Sequence, residues 1–151
     1  GTKQDFLELC KGVHMDIGRF ILEKSSEALD YALYDNCFLG NLEMVKYLCE
    51  KCSACLPAGI NQPNLYYHLC LNTYYDILEV IITHELIDLS FINKSFTVHF
   101  IYDGFNLVNT LLRTGKIKQD IIDKMFQSAS EHNIPEIKNV LNNHISVSIK
   151  A

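Results

Sequence analysis

This sequence predicts an all-α chain built from about five short helical hairpins, on three observations. Gly and Pro together supply only 10 of the 151 residues and fall mostly between periodic segments, as turns between helices do. Apolar residues recur at helical spacing, in Leu42, Val45, Leu48 and Cys49 and again in Ile77, Val80, Ile81 and Leu86. Strict alternation is confined to Ile87 through Phe91 and to Ile145-Ser146-Val147-Ser148-Ile149, each too short and isolated to build a sheet. The length suits one compact domain or one short repeat array. Gly1-Thr2-Lys3, without a Met, reads as the scar of a domain excised from a longer protein. The expected divisions are therefore 1–2 as scar, 3–143 as the repeat domain and 144–151 as a frayed tail or edge.

Helix punctuation locates the elements in order. Ser25 and Ser26 can cap a helix beginning near Glu27. Pro63 suits a first helical position after Gln62, and Pro135 suits the same position after Asn133-Ile134. Gly115 can close a helix that ends near Arg113. These signals divide the chain into about ten helices of roughly 8–14 residues.

The hairpins resemble one another. Each second helix carries an acidic or amide residue followed by aliphatics: Asp16-Ile17, Glu43-Met44-Val45, Asp76-Ile77-Leu78, Asn106-Leu107-Val108 and Glu136-Ile137, at intervals of 27, 33, 30 and 30. Three positions earlier stands a turn-forming or small polar residue in four cases, Gly40, Thr73, Asp103 and Asn133, with Val13 the exception. Ten positions upstream an apolar or aromatic residue opens the first helix: Phe6, Leu33, Tyr66, Phe96 and Phe126. A two-helix repeat of this length resembles the ankyrin repeat, most closely in Gly40-Asn41-Leu42-Glu43-Met44-Val45-Lys46-Tyr47-Leu48-Cys49-Glu50-Lys51. Phe126 through Ile137 looks like a weaker copy, with the small Ala129 where two helices approach closely. The resemblance covers about residues 5–143 and implies an α-solenoid of about five ankyrin-like repeats. No repeat carries the Thr-Pro-Leu-His opening or the Asp-Gly hairpin of the family, so its β-hairpin fingers are expected to be short or missing. Ala28-Leu29-Asp30-Tyr31-Ala32 lies one turn too far from Gly40, which predicts a lengthened first helix there. Degenerate Ile/Tyr/Asn/Lys-rich repeats resemble those of large DNA viruses and intracellular pathogens, which implies a host-interaction role.

Charge and cysteine usage narrow the function classes. A net charge of −5 argues against nucleic-acid and anionic-membrane partners. Acidic residues such as Glu23, Asp30, Glu43, Asp76 and Asp88 interrupt every greasy stretch, so no segment is expected to span a bilayer. Cys10, Cys37, Cys49, Cys52, Cys55 and Cys70 lie mostly within apolar helical patterns, where a free thiol acts as a small hydrophobe. A reducing, cytoplasmic location is expected. Cys49-x-x-Cys52-x-x-Cys55 could chelate zinc or an iron–sulfur cluster with Cys70 or Cys37 as fourth ligand, but the repeat register already accounts for these cysteines as an inward residue, a helix end and a loop. Cys10 and His14 share a helical face without an orienting acid, and Asp103-Gly104 and Thr114-Gly115-Lys116 read as turns. Of the tyrosine cluster, Tyr66 and Tyr74 are expected to face the core, leaving Tyr67 and Tyr75 more exposed.

The expected function is a non-catalytic, monomeric protein-binding module that uses no metal or cofactor. The ankyrin resemblance implies a concave binding face made by the first helices and turns, carried by Tyr34, Asp35, Tyr67, His99, Tyr102, Gln127 and Glu131. The alternative is a helical spacer packing against the rest of its own chain; third comes a cysteine-based metal protein or enzyme.

Overall fold

The computed structural model describes residues 26–92 and 96–150, with side chains described for 27–92 and 104–144. The first expected hairpin, with Phe6, Cys10, His14 and Asp16-Ile17, lies outside the described residues. Among them there are seven α-helices and no strand. No described helix is long and apolar enough to cross a membrane. The chain divides after Ile87 into two compact units.

In the first unit, α1 (Ser26–Leu39) and α2 (Leu42–Glu50) form one hairpin, and α3 (Gln62–Leu71) and α4 (Tyr75–Thr83) form the next. First helix packs on first helix, α1 on α3, and second on second, α2 on α4. The buried positions of the two hairpins coincide at a spacing of 33. Ala32, Leu33, Asn36 and Cys37 of α1 recur as Leu65, Tyr66, Leu69 and Cys70 of α3. Met44, Val45, Leu48 and Cys49 of α2 recur as Ile77, Leu78, Ile81 and Ile82 of α4. Each set is spaced i, i+1, i+4, i+5, the stripe a helix needs to face a single core.

The tight turn inside each hairpin has one construction. Gly40, Thr73 and Asn133 take left-handed backbone angles, with φ of 76°, 57° and 54°. Behind each, the next amide donates to a carbonyl five residues back: Asn41 to Asn36 at 3.0 Å, Tyr74 to Leu69 at 2.8 Å and Ile134 to Ala129 at 2.9 Å. The turn residue itself donates three back, to Cys37, Cys70 and Ser130. This paired closure satisfies carbonyls that a helix end would otherwise strand. The second helix then starts at once. Asn41 caps α2 by accepting from the Met44 amide, whereas Tyr74 caps α4 with no side-chain bond. Asn61 caps α3, with Pro63 in its first turn. As expected, α1 is lengthened, to 14 residues.

The second unit opens with a 3-10 turn at Leu89–Phe91, in the first of the two alternating stretches, where the Asp88 carboxylate accepts from the Ser90 amide. Three helices follow: α5 (Phe96–Arg113), α6 (Gln119–Glu131) and α7 (Pro135–Lys150), all in mutual contact. Here two expectations are corrected. Asp103-Gly104 is no turn; α5 runs through it for 18 residues, so the hairpin expected from Phe96 to Asn106 is a single helix. An interior Gly costs only about 1 kcal/mol, and Leu107, Val108 and Leu111 continue a fully buried stripe that outweighs it. Likewise residues 144–150 are no frayed tail but the last turns of α7. Ile145 and Ile149 fall on one face in an alternating reading, but at four residues apart they are also about one helical turn apart. Gly115, φ 66°, ends α5 as expected, its amide donating to Leu112.

Gly40 lies beneath the Tyr74 ring, so a Cβ there would come within 2.5 Å of Cζ. Gly40→Ala should therefore lower the unfolding free energy by about 1–2 kcal/mol. Thr73 occupies the same backbone region with a β-branched side chain, and Thr73→Gly should raise it by roughly 0.5–1 kcal/mol. Urea unfolding of both variants checks the pair; a Thr73→Gly protein less stable than the parent contradicts the strained turn.

Candidate functional site

The register that repeats the core also repeats the outer edge of the first helices. Tyr34 of α1 and Tyr67 of α3 are 33 apart and both half-buried; one turn later come Phe38, half-buried, and Leu71, the most exposed large apolar residue described, at 72%. A side chain four residues on shares its helix face, so each helix contributes a Tyr and an apolar partner. The Tyr34 and Phe38 rings lie 4.9 Å apart and tilted.

His68 ties the two helices together at this edge. Its ring sits 4.3 Å from that of Phe38, and its Nε2 is 2.9 Å from the Phe38 carbonyl oxygen, an arrangement in which Nε2–H donates. That carbonyl belongs to the last turn of α1, where no backbone amide is left to serve it. On its other side His68 meets Tyr74 edge-on at 6.1 Å, and Tyr74 in turn covers Gly40. A continuous row of rings, Tyr34, Phe38, His68 and Tyr74, therefore crosses from the first hairpin to the second.

Of the residues expected to bind, Tyr34, Asp35 and Tyr67 belong to this unit, all half-buried. Gln127 and Glu131 belong to the second unit, exposed on α6 and joined by a 3.1 Å hydrogen bond from Gln127 Nε2 to Glu131 Oε1. His99 and Tyr102 are on α5, but their side chains lie outside those described. Tyr66 is fully buried as expected. Tyr74, Tyr67 and Tyr75 are all half-buried, which corrects the expected split between core and surface. Tyr74 covers a turn rather than entering the core. Phe38, His68 and Leu71 were not picked out from the sequence, although stepping four residues on from Tyr34 and Tyr67 would have found two of them.

A groove of about 420 Å³ lies between α2 and α4, bordered by Lys46, Glu50, Asp76, Glu79 and His84. Its lining mixes both charge signs and opens to solvent.

The cysteines separate by depth. Cys37 and Cys70 are buried at equivalent positions of α1 and α3, and Cys49 is buried at the end of α2. Cys52 is half-buried and Cys55 exposed. Burial pushes the Cys37 thiol far above its ordinary range and that of Cys70 up to about 12, the latter against a hydrogen bond with Tyr66 that favours ionisation. Burial likewise raises Tyr66. Among the described residues no three His, Cys, Asp or Glu side chains converge as metal ligands. Comparison with family models, with curated proteins and with solved structures returns no match.

The raised thiols set a direction for pH. In the unfolded chain these groups ionise near 9, but the folded protein holds them protonated well above that, so their contribution is fully present below pH 9 and is lost as pH rises. Between pH 9 and 11 stability should fall by up to about 1.4 kcal/mol per pH unit for each of Cys37 and Cys70. Urea unfolding along a pH series should show this slope, and Cys70→Ala should make it shallower by the share of that thiol while the share of Cys37 remains.

Proposed function

We propose that the chain is an ankyrin-like helical-repeat module that binds a protein partner and performs no catalysis itself. The observation that carries this reading is the 33-residue register, in which the buried stripes of α1 and α2 recur in α3 and α4 at eight positions, with Leu29 alone lacking a buried counterpart. Stacked hairpins of this type bury a continuous core while leaving one edge of each first helix free to meet a partner. Tyr34, Phe38, Tyr67 and Leu71 are the residues of that edge, and large amphipathic tyrosines held by neighbouring rings lose little entropy on binding. Asp35 lies beside them. The host-interaction role is part of the same proposal and follows from the style of the repeats alone.

The test compares two double variants against the parent in partner capture followed by affinity measurement. Tyr67→Ser with Leu71→Ser should weaken binding at least about tenfold, or about 1.4 kcal/mol. Lys46→Ala with Glu79→Ala, on the second helices, should leave it within a factor of about two. Circular dichroism melts establish that both fold. Equal loss in both, or in neither, contradicts a binding edge on the first helices.

A further inference from the structure

The triple-cysteine segment is absorbed neither by the core nor by the proposed binding edge. Helix α2 ends at Glu50, and the Lys51 amide still donates to Tyr47, at 2.9 Å. Ser53 then takes a left-handed φ of 52° and turns the chain back, so that the Ala54 amide donates to the Leu48 carbonyl, also at 2.9 Å. That carbonyl belongs to the peptide joining Leu48 to Cys49, and Ala54 directly precedes Cys55. The two cysteines therefore flank one backbone hydrogen bond, whose donor residue Ala54 is buried. A second tether holds Cys55 from the side of α1: its amide donates to Asp30 Oδ1 at 3.0 Å.

Access differs sharply between the two thiols. Cys55 is exposed, whereas Cys49 is only 6% exposed. Burial, then the neighbouring Glu50, then Cys55 itself push the Cys49 thiol up to about 11. An oxidant in solution thus meets Cys55 first, and Cys49 waits as the second thiol.

We propose that Cys55 and Cys49 form a reversible disulfide at the end of α2, closed by exchange with a low-molecular-weight disulfide such as oxidised glutathione, and that Cys52 takes no part. The Cys55 thiolate attacks one sulfur of the reagent, giving a mixed disulfide and releasing one glutathione thiolate. Cys49, deprotonated by solvent, then attacks the Cys55 sulfur and releases the second glutathione. Two protein thiols are oxidised, one small disulfide is reduced to two thiols, and the two protons pass to the released thiolates. The product pins the start of the α2–α3 connection onto the helix that precedes it.

Loop-closure entropy alone favours the shorter pairings, Cys52 with Cys55 or Cys49 with Cys52, so the pairing found reports on the fold. The experiment incubates the protein with oxidised glutathione, quenches with acid, alkylates and maps disulfides by peptide mass spectrometry. In the folded protein the Cys49–Cys55 disulfide should exceed either shorter pairing by about tenfold, and in urea that preference should vanish. Cys52→Ser should still form it, while Cys49→Ser should stop at glutathione on Cys55. The proposal is overturned if Cys52–Cys55 dominates in the folded protein. It fails equally if Cys52→Ser accumulates glutathione on Cys55 without closing an internal disulfide.

Discussion

The hairpins rest on a single residue in the left-handed backbone region at the end of each first helix. With that residue in place, one amide reaches five residues back and another three back, and the chain leaves the helix already pointed into the next one. Only two residues separate α1 from α2, and three separate α3 from α4. So short a connection holds the two helices antiparallel and makes each bury its stripe against the other. The same construction at residue 133 joins α6 to α7.

Once the hairpins exist, stacking them requires matching positions. The 33-residue register supplies this, because Leu33 and Tyr66, or Leu48 and Ile81, meet the same core from successive hairpins. Side chains at the turns add a second layer of fit. The Tyr74 ring fills the space that a Gly leaves at position 40, and His68 serves a carbonyl that the end of α1 would otherwise leave without a donor. A feature that stabilises the stack therefore also builds its outer edge, where Tyr34, Phe38, Tyr67 and Leu71 remain partly open.

Depth assigns the cysteines different chemistry. Cys37 and Cys70 occupy equivalent buried positions and act as small apolar residues whose ionisation the interior resists. The segment from Cys49 to Cys55 instead crosses from core to solvent within one reversal of the chain, which places an inaccessible thiol and an accessible one on either side of one hydrogen bond. The six-residue separation conceals this neighbourhood until the Ser53 turn is seen.

Local physics was legible along the chain. The restricted φ of Pro63 and Pro135 marked two helix starts, Gly115 marked a stop, and the spacing of Gly40, Thr73 and Asn133 marked three turns, although only one of these is the residue best suited to a left-handed conformation. The same spacing pointed to Asp103 and was wrong there. A turn signal competes with the burial of the helix around it, and the stripe from Leu107 to Leu111 won that competition. Tertiary structure alone decided which tyrosine covers a turn, which histidine bridges two helices and which cysteines become neighbours. Those outcomes depend on the approach of segments about 30 residues apart, or on one reversal of the chain. By itself the sequence determined that the described residues are helical and where three of the turns between helices fall, at Gly40, Thr73 and Asn133, because periodicity and punctuation act within a few residues.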